Sequence, residues 1–159
     1  LESRHFSMLD LQKRREAKPE SDIYPIMTTT MPTHRMTRRL AGKVTLRVTD
    51  DHRWFDDTLG MTGDWRKAGP IFCIPLRAIA ATKTTNLITA GRCISSIGDT
   101  WDVTRVIPTC AVTGEAAGVA AAFLANDQNA TSFFDLDIKA LQNYLKRKHV
   151  IIDKSLVEG

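Results

Sequence analysis

An α/β fold, or α+β if the chain stands alone, is what this 159-residue sequence predicts. Three observations carry it. Strand-like segments crowd into residues 23–91, a long apolar helix follows at 108–125, and a last amphipathic helix opens at Asp137. The composition, 43% apolar and 25% charged, is that of a globular domain able to bury a core.

The elements follow in order. Residues 1–21 read as a helix: Met8, Leu9 and Leu11 precede the charged run Gln12-Lys13-Arg14-Arg15-Glu16, and Pro19 stops it. Residues 23–32, β-branched and aromatic and closed by Pro32, read as a strand. A short turn or helix then leads through Gly42 to an alternating strand at 44–48. Residues 49–70, with two tryptophans and three glycines, read as a long polar loop, of the kind that is functional or mobile. Residues 71–79 read as a strand in which Pro75 imposes an edge or a bulge. Residues 87–91 are short, apolar and glycine-stopped, as expected of a strand buried on both faces of a parallel sheet. A second long loop joins them to the apolar helix. Asp137 caps the last helix, expected to run to about Lys148 with Leu141, Tyr144 and Leu145 as its buried stripe.

Several function classes are disfavoured. Cys73, Cys93 and Cys110 form no Cys-x-x-Cys pair and no ligand cluster, so neither a metal site nor a disulfide framework is expected. A net charge of +4, spread along the chain, argues against nucleic acid. No apolar run of membrane length flanked by Lys or Arg is visible, and a cytoplasmic, reduced protein is expected. The first residue is Leu1 and no core-forming strand opens the sequence, so the chain is expected to be a piece of something longer.

The most informative segment is Arg105-Val-Ile-Pro-Thr-Cys-Ala-Val-Thr-Gly-Glu-Ala-Ala-Gly-Val-Ala-Ala-Ala. Gly114, Ala117, Gly118, Ala121 and Ala122 fall on one helical face that is nearly free of side chains. Glycine inside a helix costs about 1 kcal/mol against alanine, so two of them imply a geometric need. A membrane-packing face is opposed by Glu115 between the glycines. A plain core helix against a sheet remains open. So does a helix that packs its smooth side on the sheet while its amino end faces a cofactor. What precedes the helix favours the last: an apolar strand ending Ala90-Gly91-Arg92, a polar loop, then Pro108 in the first turn. Thr109 and Cys110 would then leave free amide N–H groups at the positive end of the helix dipole.

The strings Asn86-Leu-Ile-Thr-Ala-Gly-Arg-Cys-Ile-Ser and Trp101-Asp-Val-Thr-Arg-Val-Ile-Pro-Thr-Cys-Ala-Val-Thr-Gly-Glu-Ala-Ala-Gly resemble the carboxyl-terminal segment of FAD-dependent oxidoreductases. These belong to the glutathione-reductase-like superfamily, and the closer resemblance is to a branch distantly related to fumarate reductases. His34-Arg-Met-Thr-Arg-Arg-Leu-Ala-Gly resembles the family's arginine-rich segment, and the resemblance covers residues 23–152. It implies the carboxyl-terminal part of a two-domain FAD-binding fold: a loose or helical lead at 1–22, strands of a substrate or cap domain at 23–85, and a returning strand and helix of the FAD domain at 86–159. It implies FAD as cofactor and hydride transfer between flavin and a small organic substrate. The alternative is a non-catalytic α/β binding module without cofactor. The family's usual Gln stands as Glu115 here, and a common Gly as His149. No Gly-x-Gly-x-x-Gly turn for pyrophosphate occurs in the sequence, so the chain is expected to be a carboxyl-terminal fragment that holds FAD poorly alone and either self-associates or folds marginally.

By this resemblance Gly91, Arg92, Arg105, Pro108, Thr109, Cys110 and Gly114 border the cofactor. Each has a plainer reading: Gly91 and Arg92 end a strand at the surface, Arg105 pairs with Asp99 or Asp102, and residues 108–110 form only a capped turn. The catalytic residues are not identified. Cys110, with its pKa lowered by the helix terminus, is one candidate, and a small buried cysteine is the commoner case. Arg38 and His34, with Arg35 and Arg39, suit a carboxylate substrate, or else form an exposed basic turn.

Overall fold

Antiparallel pairing of two short strands organises most of the protein, and one of them lies inside the segment expected to be a loop. In the computed structural model, residues 2–25 and 36–158 are described. The chain divides into two units, Leu1–Thr37 and Arg38–Gly159. The boundary expected at 85/86 falls inside the second unit.

The first unit holds helix α1, Glu2–Ala17, which ends ahead of Pro19 as expected. Asp10 and Arg14 pair across one helical turn at 2.8 Å, and the Arg15 Nε–H donates to the Ile23 carbonyl at 2.8 Å. Residues 23–25 carry no regular structure, and the rest of the strand expected over 23–32 lies outside the described residues.

In the second unit, strand β1 is Thr58–Gly63 and strand β2 is Ile71–Pro75. They pair with Gly60 opposite Ile74, Met61 opposite Cys73 and Thr62 opposite Phe72. The register slips between Thr58 and Gly60, opposite Pro75, which cannot donate to a ladder; this is the irregularity that proline predicts. The connecting turn is held by Asp64, whose carboxylate accepts from the Arg66 amide at 3.0 Å and from its guanidinium at 3.0 Å. Those hydrogen bonds hold the Asp64 carboxyl at about 2, below its ordinary range. After Pro75 the expected strand gives way to a single helical turn, α2, Leu76–Ile79. Its start is tied to the foot of β1, since the Leu76 amide donates to the Asp57 carbonyl and the Arg77 amide to the Asp57 carboxylate.

Two other expected strands reduce to single bridges. Leu46 pairs in parallel with Ser96, and Ala80 pairs antiparallel with Ile88. Residues 44–48 alternate in sequence, yet only Leu46 is buried and Val48 is 59% exposed. Residues 87–91 are not a strand buried on both faces, for Leu87 is exposed and no third strand pairs there among the described residues. The loop expected at 92–107 contains a 3₁₀ turn that begins at Gly91, Gly91–Cys93, and a short helix α3, Asp99–Thr104.

Helix α4, Ile107–Asn126, crosses the hairpin. It is long and apolar enough to cross a membrane by length and composition. Its buried residues are Thr109, Thr113, Ala116, Ala117 and Ala120, so the face set against the hairpin is not the one expected. Gly114, Gly118, Ala121 and Ala122 are exposed, and space within 4 Å of both glycines is open. Helix α5, Ile138–Arg147, completes the core. Asp137 caps it as expected, accepting from the Lys139 amide at 2.9 Å and the Ala140 amide at 3.1 Å. Leu141 and Leu145 are fully buried, and the half-buried Tyr144 stands edge-on to Phe123 of α4 with ring centroids 5.7 Å apart.

At the end of α5 the Val150 amide donates to the Leu145 carbonyl and the His149 amide to the Lys146 carbonyl, which is the Schellman pattern. His149 occupies the left-handed position at φ 65°, where glycine is free of Cβ strain. His149→Gly therefore raises the free energy of unfolding by about 0.5–1 kcal/mol. Urea denaturation checks it, and an unchanged or lower midpoint refutes it.

Candidate functional site

The amino end of α4 is built from small residues and hydroxyls. Val106 is extended and offers no side-chain cap, and the first turn contains no acidic residue. The helix begins at Ile107, one residue earlier than expected, and the Cys110 amide donates to the Val106 carbonyl at 2.9 Å. The Cys110 amide is therefore not free, contrary to expectation. Pro108 has no N–H, so Ile107 and Thr109 are the first-turn amides without an acceptor inside the helix. Ile107 is 85% exposed, and Pro108 is exposed beside it, so the positive end of the helix dipole opens to the surface.

Beneath this end, two threonines one turn apart tie the helix down. The Thr109 hydroxyl donates to the Val103 carbonyl at 3.2 Å and meets the Thr62 hydroxyl of β1 at 2.7 Å. Thr113 accepts the Gly91 amide at 2.9 Å. Gly91 sits at φ 71°, a conformation that strains any other residue, and its Cα faces the Cys110 side chain. The Gly91–Cys93 turn is fastened on two further sides: the Trp101 indole N–H donates to the Arg92 carbonyl at 2.7 Å, and the Leu40 amide to the Cys93 carbonyl at 2.8 Å.

Gly91, Arg92, Thr109 and Cys110 are thus brought together. Arg38, exposed, lies two residues before the Leu40 that is bonded to this turn. Arg39 is turned onto the Leu40 carbonyl and the Ser95 hydroxyl. His34 and Arg35 lie outside the described residues. Arg105 takes one of its two plainer readings, since Nε and Nη2 both reach Asp102 Oδ1, at 2.8 and 2.6 Å. Gly114 lies a turn further along, on the open outer face. Burial pushes the Cys110 thiol up, with the charge of Arg92 acting the other way, so the lowering expected at a helix terminus is not what this position provides.

Thr62 and Thr113 are the residues that sequence reasoning missed, whereas Trp101 acts as the loop anchor that an aromatic in a long loop commonly is. Thr109 and Thr113 were legible as an i, i+4 hydroxyl pair in an otherwise apolar helix, which marks a face with polar partners to satisfy. Open grooves elsewhere among the described residues include one of about 520 Å³ among Lys43, Asp57, Arg77, Phe134 and Lys139, and one of about 700 Å³ over Val119, Phe123 and Tyr144. The candidate site is a shelf at an exposed helix end.

The residues fit one end of a flavin. The amide of the exposed Ile107, a positive dipole and no acid in the helix's first turn suit the electron-rich carbonyl edge of the ring, while Thr109 is fully buried. Nothing in the sequence supplies the glycine-rich turn that cradles a pyrophosphate. A family model described as FAD dependent oxidoreductase matches residues 19–145. No curated protein and no solved structure matches the chain.

Proposed function

The chain belongs to the FAD-dependent oxidoreductase family, and we propose that its own contribution is the shelf on which the flavin ring rests. The family match spans the Gly91–Cys93 turn and the whole of α4, and that observation carries the reading. It favours a flavin site over a cofactor-free interaction module.

Bound FAD supplies the two-electron chemistry, taking or giving a hydride in exchange with a small organic substrate. The chain's residues hold and bias it. The exposed Ile107 amide would meet the carbonyl edge of the ring, and the dipole of the 20-residue α4 would favour the negative charge of the reduced state. Arg92 adds a positive charge beside Cys110, and Gly91 lets the backbone pass close without a side chain in the way. Arg38 stands ready to meet an anionic group of the substrate. The pyrophosphate and adenosine would call for a glycine-rich turn that this sequence does not contain.

The test places an acid at the helix end. FAD binds the purified chain weakly, and Ile107→Asp raises Kd about tenfold without lowering the melting temperature, because an acid at this position favours the helix itself. Flavin fluorescence titration and thermal melts read the two quantities. Equal affinity in the variant, or no FAD binding by the parent chain, overturns the reading.

A further inference from the structure

The Gly91–Cys93 turn is tied at every residue, each to a different part of the chain. Gly91 is bonded to Thr113 of α4, Arg92 to Trp101 of α3, and Cys93 to Leu40. Of these three ties, the one to Thr113 reaches the helix whose amino end forms the shelf. Thr113 is fully buried, yet its hydroxyl is fully used. It donates back into α4, to the carbonyl of Thr109 at 3.0 Å or of Cys110 at 3.1 Å. Its oxygen keeps a lone pair for the Gly91 amide at 2.9 Å. A buried hydroxyl inside an apolar helix is retained at a cost unless both of its roles are filled, and here both are.

We infer that Thr113 is a positioning residue for the flavin shelf: it sets the height of the Gly91–Cys93 turn over the first turn of α4. With the turn held there, Gly91 lies against Cys110 and the Arg92 backbone is fixed beside the exposed helix end. Without the hydroxyl, the Gly91 amide has no partner and the turn lifts. The bond stands on geometry alone, while its consequence for FAD rests on the proposed flavin site.

Two readouts separate those layers in the full chain. Thr113→Val keeps the shape and removes the hydroxyl; Thr113→Ser keeps the hydroxyl. Amide hydrogen exchange at Gly91 speeds up about tenfold or more in Thr113→Val and stays near the parent rate in Thr113→Ser. The Leu141 and Leu145 amides, in the core of α5, stay protected in both. Unchanged Gly91 exchange in Thr113→Val overturns the inference. FAD titration then shows Kd raised about tenfold in the valine variant and restored by serine. A freed Gly91 with undiminished FAD affinity also overturns it. If the parent chain binds no FAD, the flavin reading and the positioning role fall together, while the exchange data still report the bond. Should the valine variant unfold, Thr113→Ala with the same two readouts decides.

Discussion

Gly60→Ala lowers the free energy of unfolding by about 2–3 kcal/mol, read as the shift of a urea or thermal midpoint. A β-carbon at Gly60 would stand 2.3 Å from Cγ1 of Val112 and 3.8 Å from Cγ1 of Val150. Real carbon atoms do not approach to the first distance, so something must move. Val112 is poorly placed to yield, because a β-branched side chain in a helix has one strongly preferred rotamer. The helix itself must lift, and lifting strains the Thr62–Thr109 hydroxyl contact at 2.7 Å. Gly60→Ala with Val112→Ala restores more than half of the loss, because the double variant trades one methyl clash for space. A single variant as stable as the parent would show that α4 does not sit this close to β1.

Leu145→Ala costs about 3 kcal/mol by the same measurements. Leu145 is fully buried in the cluster that also contains Leu59, Ile74, Leu141 and Val150. Truncation removes its transfer free energy and leaves a cavity between α5 and the hairpin that these neighbours only partly fill. The backbone capping bond from Val150 to its carbonyl survives, so the cost is one of packing rather than of helix termination. At temperatures where the variant remains folded, hydrogen exchange at Gly91 is unchanged, since the cavity is not at the shelf. A loss below about 1 kcal/mol contradicts the burial described for this residue.

These two residues mark what the sequence could and could not reveal. Helix α5 was legible end to end, because Asp137 is a strong cap and Leu141 and Leu145 repeat at helical spacing. Strand β1 was not. Thr58-Leu-Gly-Met-Thr-Gly has the composition of a loop, and it is extended because β2 pairs with it and because only glycine admits Val112 at position 60. Residues 44–48 show the opposite failure: their alternation is good, but a single bridge at Leu46 is all the pairing they find.

The orientation of α4 was ambiguous for a physical reason. Nearly every face of that helix is small, so side-chain size cannot select the buried one. The choice falls to Thr109 and Thr113, whose hydroxyls need partners and find them in Thr62, Val103 and Gly91. The neighbourhood of Gly91, Arg92 and Cys110 was legible through resemblance. The fastenings of the turn were not, because Trp101 and Leu40 reach it by tertiary contacts that no local pattern encodes. Arg105 was one of two open readings, and Asp102 took it.

The indole of Trp101 gives the protein an internal optical gauge. Its N–H is anchored 2.7 Å from the carbonyl of Arg92, so the ring's surroundings change whenever that turn changes height. Trp65 is 62% exposed and Trp54 packs beside the core, so the three indoles of the chain occupy environments of different polarity. Emission from a variant retaining Trp101 alone follows the turn, and a flavin bound as proposed would quench it by energy transfer. Occupancy of the proposed shelf would then be visible as lost light, without any substrate.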